Sequence, residues 1–158
     1  MKMYENLDLP KTLALASRLA PFLRAGDLIA LEGPLGAGKS AFARALVRAL
    51  LADQKAEVPS PTFTLVQPYE RKNAPDVYHA DLYRLSDTQE LYELGLEDAR
   101  SDAIMLVEWP DRLDQDWRVT ALNITFKISN ELGYGGENLR SIMMNGDTTW
   151  QARLGEMA

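Results

Sequence analysis

Apolar residues alternate along the chain between a helical rhythm and short unbroken runs. Leu13, Ala16, Leu19, Ala20 and Leu23 recur on one helical face, predicting a helix between about Pro10 and Arg24. Pro10 suits its first turn, Pro21 weakens or kinks its second half, and Gly26 offers a stop. Leu28-Ile29-Ala30-Leu31 is a continuous apolar run, predicting a buried strand over 28–32. Phe42, Ala45, Leu46, Ala49 and Leu50 then return to helical spacing and predict a helix over 39–51. The pattern predicts no element before Pro10.

Prolines at 59 and 61 make Val58–Phe63 an extended loop. Thr64–Tyr69 and Val77–Asp81 read as strands, and Arg71–Pro75 between them has turn chemistry, so an antiparallel hairpin is predicted. Asp87-Thr88-Gln89-Glu90 resembles a capped helix start, with the helix running to about Glu93 before Gly95. Ala103–Val107 is the clearest buried strand and ends in Glu108-Trp109-Pro110. Alternation from about 118 to 128 predicts another strand. Glu131–Glu137 is a glycine-rich loop or hairpin turn, Arg140–Met144 a last strand, and Thr148–Met157 a short helix.

Composition narrows the class. A chain of 158 residues with 46% apolar and 25% charged positions fits one globular domain over 1–158. No run of about 18 apolar residues exists, so no membrane span is expected. Met1–Asn6 lacks the apolar core of a signal peptide. With no cysteine there is no disulfide and no thiolate metal site, which suits the cytoplasm. The net charge of −6, without any basic run, argues against strong direct binding of RNA or DNA and leaves a protein partner open.

One stretch carries specific chemistry. Gly33-Pro34-Leu35-Gly36-Ala37-Gly38-Lys39-Ser40 fits the phosphate-binding pattern G-x-x-x-x-G-K-[ST], between a predicted strand and a predicted helix. Gly33, Gly36, Ala37 and Gly38 would turn backbone amides toward a polyphosphate, and the helix start adds its positive dipole end. Lys39 would reach the β- and γ-phosphates and the Ser40 hydroxyl would contact Mg²⁺. The expected fold is α/β: a P-loop NTPase-like three-layer sandwich whose mixed sheet includes an antiparallel hairpin. Glu108, at the end of a buried strand, is the candidate for the second protein contact to Mg²⁺. Asp81 could orient water or hold a metal-bound water, or cap a turn. Thr62 could sense metal and γ-phosphate, or bond its own backbone. Trp109 could cover the nucleotide or serve packing. Arg84 could meet phosphate or pair with a surface acid, and His79, the only histidine, reads as a hydrogen-bonded structural residue.

Taken together, four blocks resemble the TsaE family, small P-loop ATPases of bacterial tRNA threonylcarbamoyladenosine biosynthesis. They are the Gly33–Ser40 loop, Ser60-Pro61-Thr62-Phe63-Thr64-Leu65-Val66, His79-Ala80-Asp81-Leu82-Tyr83-Arg84-Leu85 and Val107-Glu108-Trp109-Pro110, with Gly95-Leu96-Glu97-Asp98 a weaker fifth. The match runs from about Leu9 to Arg112. The resemblance implies ATP and Mg²⁺ as ligands, Lys39 and Ser40 on phosphate and metal, and Glu108 as the other metal residue. It implies a switch-like loop holding Thr62, roles in turnover for Asp81 and Trp109, and a position near the base for Thr12. The partners implied are TsaB and TsaD, which act at adenosine 37 of tRNAs reading ANN codons. Two departures stand out: Ala41 follows Ser40 where the family often has a second hydroxyl, and Pro34 replaces a more usual acidic residue. Two other readings of the loop are a small-molecule kinase, against which the lack of an arginine-rich lid counts, and a nucleotide-dependent assembly module with incidental hydrolysis.

Overall fold

The structure is a computed structural model describing residues 1–157. Seven strands form one sheet: β1 (Lys2–Leu7), β2 (Leu28–Glu32), β3 (Val66–Tyr69), β4 (Val77–Asp81), β5 (Ile104–Glu108), β6 (Leu122–Leu132) and β7 (Asn138–Asn145). Their spatial order is β1-β7-β6-β2-β5-β4-β3. The four inner strands β6, β2, β5 and β4 run parallel, whereas β3 on one side and β7 and β1 on the other run antiparallel to their neighbours. The sheet is therefore mixed, and β3–β4 is the expected hairpin.

Helices cover both faces. On one lie α1 (Leu9–Leu19), α2 (Lys39–Leu51) and α6 (Thr148–Glu156), packed on Ile29, Leu31, Ile104, Leu106, Ile124 and Phe126 through Leu15, Leu19, Phe42, Leu46, Trp150 and Leu154. On the other lie α3 (Gln89–Glu93), α4 (Leu96–Ala99) and α5 (Gln115–Val119), which bury Leu91, Leu96 and Trp117 against Leu28, Ala30, Met105 and Val107. Both faces of β2 and β5 are thus buried, which is why these strands read as continuous apolar runs rather than as alternation. This is the three-layer α/β architecture expected above.

The differences from the predicted elements have local causes. The first helix leaves α geometry after Leu19 and tightens into a 3₁₀ turn over Ala20–Phe22, because Pro21 has no N–H to continue the ladder. Strand β3 begins at Val66 rather than Thr64, since the chain turns at Leu65 (φ +67°), whose N–H bonds the Pro61 carbonyl at 2.7 Å. Residues 118–121 do not extend β6; α5 occupies Gln115–Val119, burying Trp117 and leaving Val119 69% exposed. Strand β1 was not predicted, because only Leu7 of it is buried and its other residues are partly or fully exposed.

At the end of β2 the chain must pass very close to β6. Gly33 has φ +146°, and a Cβ placed there would lie 2.7 Å from the Phe126 carbonyl oxygen and 2.9 Å from its Cβ. Backbone and a buried ring root cannot yield as a flexible side chain would. Gly33→Ala is expected to lower stability by about 1–3 kcal/mol, read as a reduced denaturant midpoint at unchanged slope.

Candidate nucleotide site

Parallel pairing brings the C-terminal ends of β2, β5 and β4 to one edge. Leu31 lies opposite Glu108, and Glu108 opposite Asp81, so both carboxylates stand in one row on the face covered by α2. The glycine loop leaves β2 at this edge and returns as α2. Gly36 (φ +80°) and Gly38 (φ +103°) take left-handed conformations, and Gly38 caps the helix without a side chain, leaving the first-turn amides free.

Ser40, on the first turn of α2, donates from Oγ to Glu108 Oε1 at 2.9 Å. The other oxygen of Glu108, Oε2, accepts from His79 Nε2 at 2.7 Å, with both side chains only 2% exposed. His79 Nδ1 is buried and has no partner among the described residues. The lone histidine is hydrogen-bonded, as read from the sequence, but its partner is the carboxylate assigned to the metal. Only the strand register could have revealed this.

Asp81 is held by other groups. Its Oδ2 accepts from Thr62 Oγ1 at 3.1 Å and its Oδ1 from the Tyr83 N–H at 3.0 Å. Thr62 in turn lies 2.7 Å from Ser60 Oγ. The proline-bounded loop is thereby tied to the end of β4.

Lys39 is buried, donates to the Gly33 carbonyl within its own loop, and places Nζ 3.9 Å from the centroid of the Trp109 ring. Burial pushes its ammonium below the ordinary lysine value, against the opposing pull of Glu108 and Asp81. Trp109 itself has φ +59° and ψ +55°, a strained backbone for a bulky residue. That conformation turns the chain sharply after Glu108 and brings the ring to Lys39 and to Tyr83, whose ring centroid is 4.9 Å away.

Lys39, Ser40, Thr62, Asp81, Tyr83, Glu108 and Trp109 line one cleft of about 430 Å³, together with Pro34, Leu35, Gly36, Gly38, Ala41 and Arg84, whereas Gly33 stands behind it at the end of β2. Arg84 lies at the cleft and its guanidinium stacks 4.3 Å from the exposed Phe63 ring; it forms no ion pair among the described residues. Ala37 is buried within the loop. The structure does not bring Thr12 to the cleft: it is fully buried on α1, and its hydroxyl donates to the Asp8 carbonyl at 2.7 Å. A second cleft of similar volume, about 430 Å³, opens on the opposite face of the sheet among Glu32, Arg118, Asn123 and Asn145. It has no glycine loop, and its Glu32 and Arg118 already pair with each other.

No cluster of three or more His, Asp or Glu side chains among the described residues is arranged to cage a metal. The Ser40–Glu108 pair suits the sparser demand of Mg²⁺, which is commonly held by one or two protein oxygens with phosphates and water completing the shell. Two adjacent acids, one already touching the phosphate-loop hydroxyl, make that fit.

Three comparisons point to one family. The family model described as "Threonylcarbamoyl adenosine biosynthesis protein TsaE" matches residues 7–135, further toward the C-terminus than the sequence blocks alone. The tRNA threonylcarbamoyladenosine biosynthesis protein TsaE of Rickettsia felis is 34% identical over 135 residues, 85% of this chain and 75% of that one. Its namesake from Mycobacterium tuberculosis is 40% identical over 110 residues, covering 65% of this chain and 64% of its own. The crystal structure of Bacillus subtilis YdiB aligns with a TM-score of 0.76 over 99% of this chain and 93% of its own, at 25% identity. On its sequence blocks, its fold and these matches, the chain belongs to the TsaE family.

Proposed function

We propose that this chain is a Mg²⁺-dependent ATPase of one domain that supports threonylcarbamoylation of adenosine 37 in tRNAs reading ANN codons, working with TsaB and TsaD in the cytoplasm. The observation that carries the reading is the convergence of Lys39 and Ser40 with Asp81 and Glu108 on one cleft. The relatives named for tRNA threonylcarbamoyladenosine biosynthesis supply the pathway. The net charge of −6 accords with a subunit that leaves RNA binding to its partners.

Hydrolysis in such a site rests on positioning and electrostatics rather than covalent chemistry. Lys39 releases the Gly33 carbonyl and turns its ammonium to the γ-phosphoryl oxygens. The loop amides and the α2 dipole hold the remaining phosphate charge. Ser40 and Glu108 would hold Mg²⁺, whose charge would offset that developing on the phosphates. Glu108 is kept in that orientation by His79. Asp81, tied to Thr62 instead of to Ser40, is the group left to orient the attacking water, and Trp109 and Tyr83 shield that end of the cleft from bulk solvent. Among the described residues no arginine-rich lid closes over it, which disfavours a kinase.

Three outcomes test these roles. Lys39→Ala should weaken ATP binding by about 100-fold in a direct titration, and unchanged affinity would remove the nucleotide reading altogether. Asp81→Asn should cut ATP turnover, with TsaB and TsaD present, by about 100-fold while leaving ATP affinity nearly intact; equal loss of both would move Asp81 from water to ligand binding. His79→Asn should raise the Mg²⁺ concentration needed for half-maximal turnover by about 10-fold, with thermal unfolding followed separately to count any loss of folded protein.

A further inference from the structure

Arg140 sits in β7, opposite Leu7 of β1 and Ile128 of β6. It shares a sheet face with Ile142 and Met144, the face that α2 covers. Its guanidinium crosses to the phosphate loop and lies on Gly38. A Cβ at that glycine would fall 2.5 Å from Arg140 Nη1 and 3.5 Å from both Cδ and Cζ. The half-buried side chain has no carboxylate within 4.0 Å and no hydrogen bond from its guanidinium among the described residues.

That placement has the wrong sign for an empty site. Gly38 caps the N-terminus of α2, where the helix dipole is positive and its free amides point outward. A cation there is repelled by the helix unless an anion joins both. Sheet order says which part of an anion it would meet. Asp81, Thr62, Glu108 and Trp109 approach the loop from the β4–β5 side of β2, and Arg140 approaches from the β6–β7 side. A triphosphate whose γ end faces the carboxylates runs its α end toward Arg140.

Resting on the reading above, we propose that Arg140 is a nucleotide-binding residue that donates from its guanidinium to the α-phosphate of the bound nucleotide. It therefore serves ADP as well as ATP, and it holds the nucleotide without acting on the bond that breaks. An arginine–phosphate contact is charge-assisted, and its loss is felt in affinity.

The test is R140Q, with R140K beside it, titrated with ADP and with ATP in the presence of Mg²⁺, and followed by steady-state hydrolysis with TsaB and TsaD. R140Q should raise the Kd of both nucleotides by the same factor, about 10-fold, and R140K should recover part of it. KM should rise while kcat stays within about twofold. Without nucleotide, R140Q should unfold at the same temperature as the native chain or higher, because a cation is removed from a helix N-terminus; a purely structural arginine would give the opposite. An ADP affinity within about twofold of the native chain, or a fall in kcat at constant KM, overturns the assignment while leaving the site itself in place. Failure of the native chain to bind ADP or ATP would overturn both.

Discussion

The site exists because Ser40 and Glu108, 68 positions apart in sequence, meet at 2.9 Å. Nothing local brings them together. The contact depends on β2 and β5 pairing in parallel with Leu31 opposite Glu108, so that the loop leaving β2 and the carboxylate ending β5 share one edge and one face. Side chains alternate along a strand, so a slip of one residue would turn Glu108 into the layer holding Trp117 and Leu113 and bury an unpaired charge there. The register is protected on both faces: Ile104 and Leu106 pack under α2, and Met105 and Val107 pack under the opposite helices. The apolar core thus fixes the chemistry, although none of its residues takes part in it.

Much of the central machinery was legible beforehand. The glycine loop announces itself through spacing, and its flanks are long enough in periodicity to place β2 and α2 at their observed bounds. The buried run ending in Glu108 marks a strand with a carboxylate at its tip. Pairing is less visible than identity. Residue type distinguished neither the two readings of Asp81 nor those of Thr62; the structure puts the Thr62 hydroxyl on Asp81 at 3.1 Å, and Asp81 also accepts from the Tyr83 N–H at 3.0 Å, the turn bond that was its alternative reading. His79 shows the limit most sharply, since a buried histidine alternating with Asp81 on β4 gives no sign that its partner lies on the next strand.

The flanks of the sheet were harder to read for a different reason. Strands β1 and β7 and the outer half of β6, which pairs only with β7, form the antiparallel flank of the sheet, and much of their surface remains exposed, so the contrast between apolar and polar positions fades. In β1 only Leu7 is fully withdrawn, and the outer half of β6 is almost wholly exposed. Arg140 belongs to this region. An isolated arginine in a polar strand looks like a surface residue until the antiparallel ladder turns it onto the face that α2 covers.

The chain's net acidity does not by itself oppose the anion site proposed above. Two unit charges about 4 Å apart interact by about 4 kcal/mol at an effective dielectric of 20, so at comparable distances the two carboxylates of Asp81 and Glu108 would repel a bare triphosphate about twice as strongly as Lys39 alone would attract it. Lys39 is also already engaged, with a carbonyl and an indole face that it must leave. What shifts the balance is that the loop amides, the α2 dipole and any divalent ion act over a few ångströms, whereas the net charge of −6 is spread over the whole surface and screened by salt. The acids at the edge then change role. On the nucleotide reading proposed above, they would be a barrier to free phosphate but would serve phosphate carrying Mg²⁺ as ligand and water holder, so the same pair would favour nucleotide and metal together.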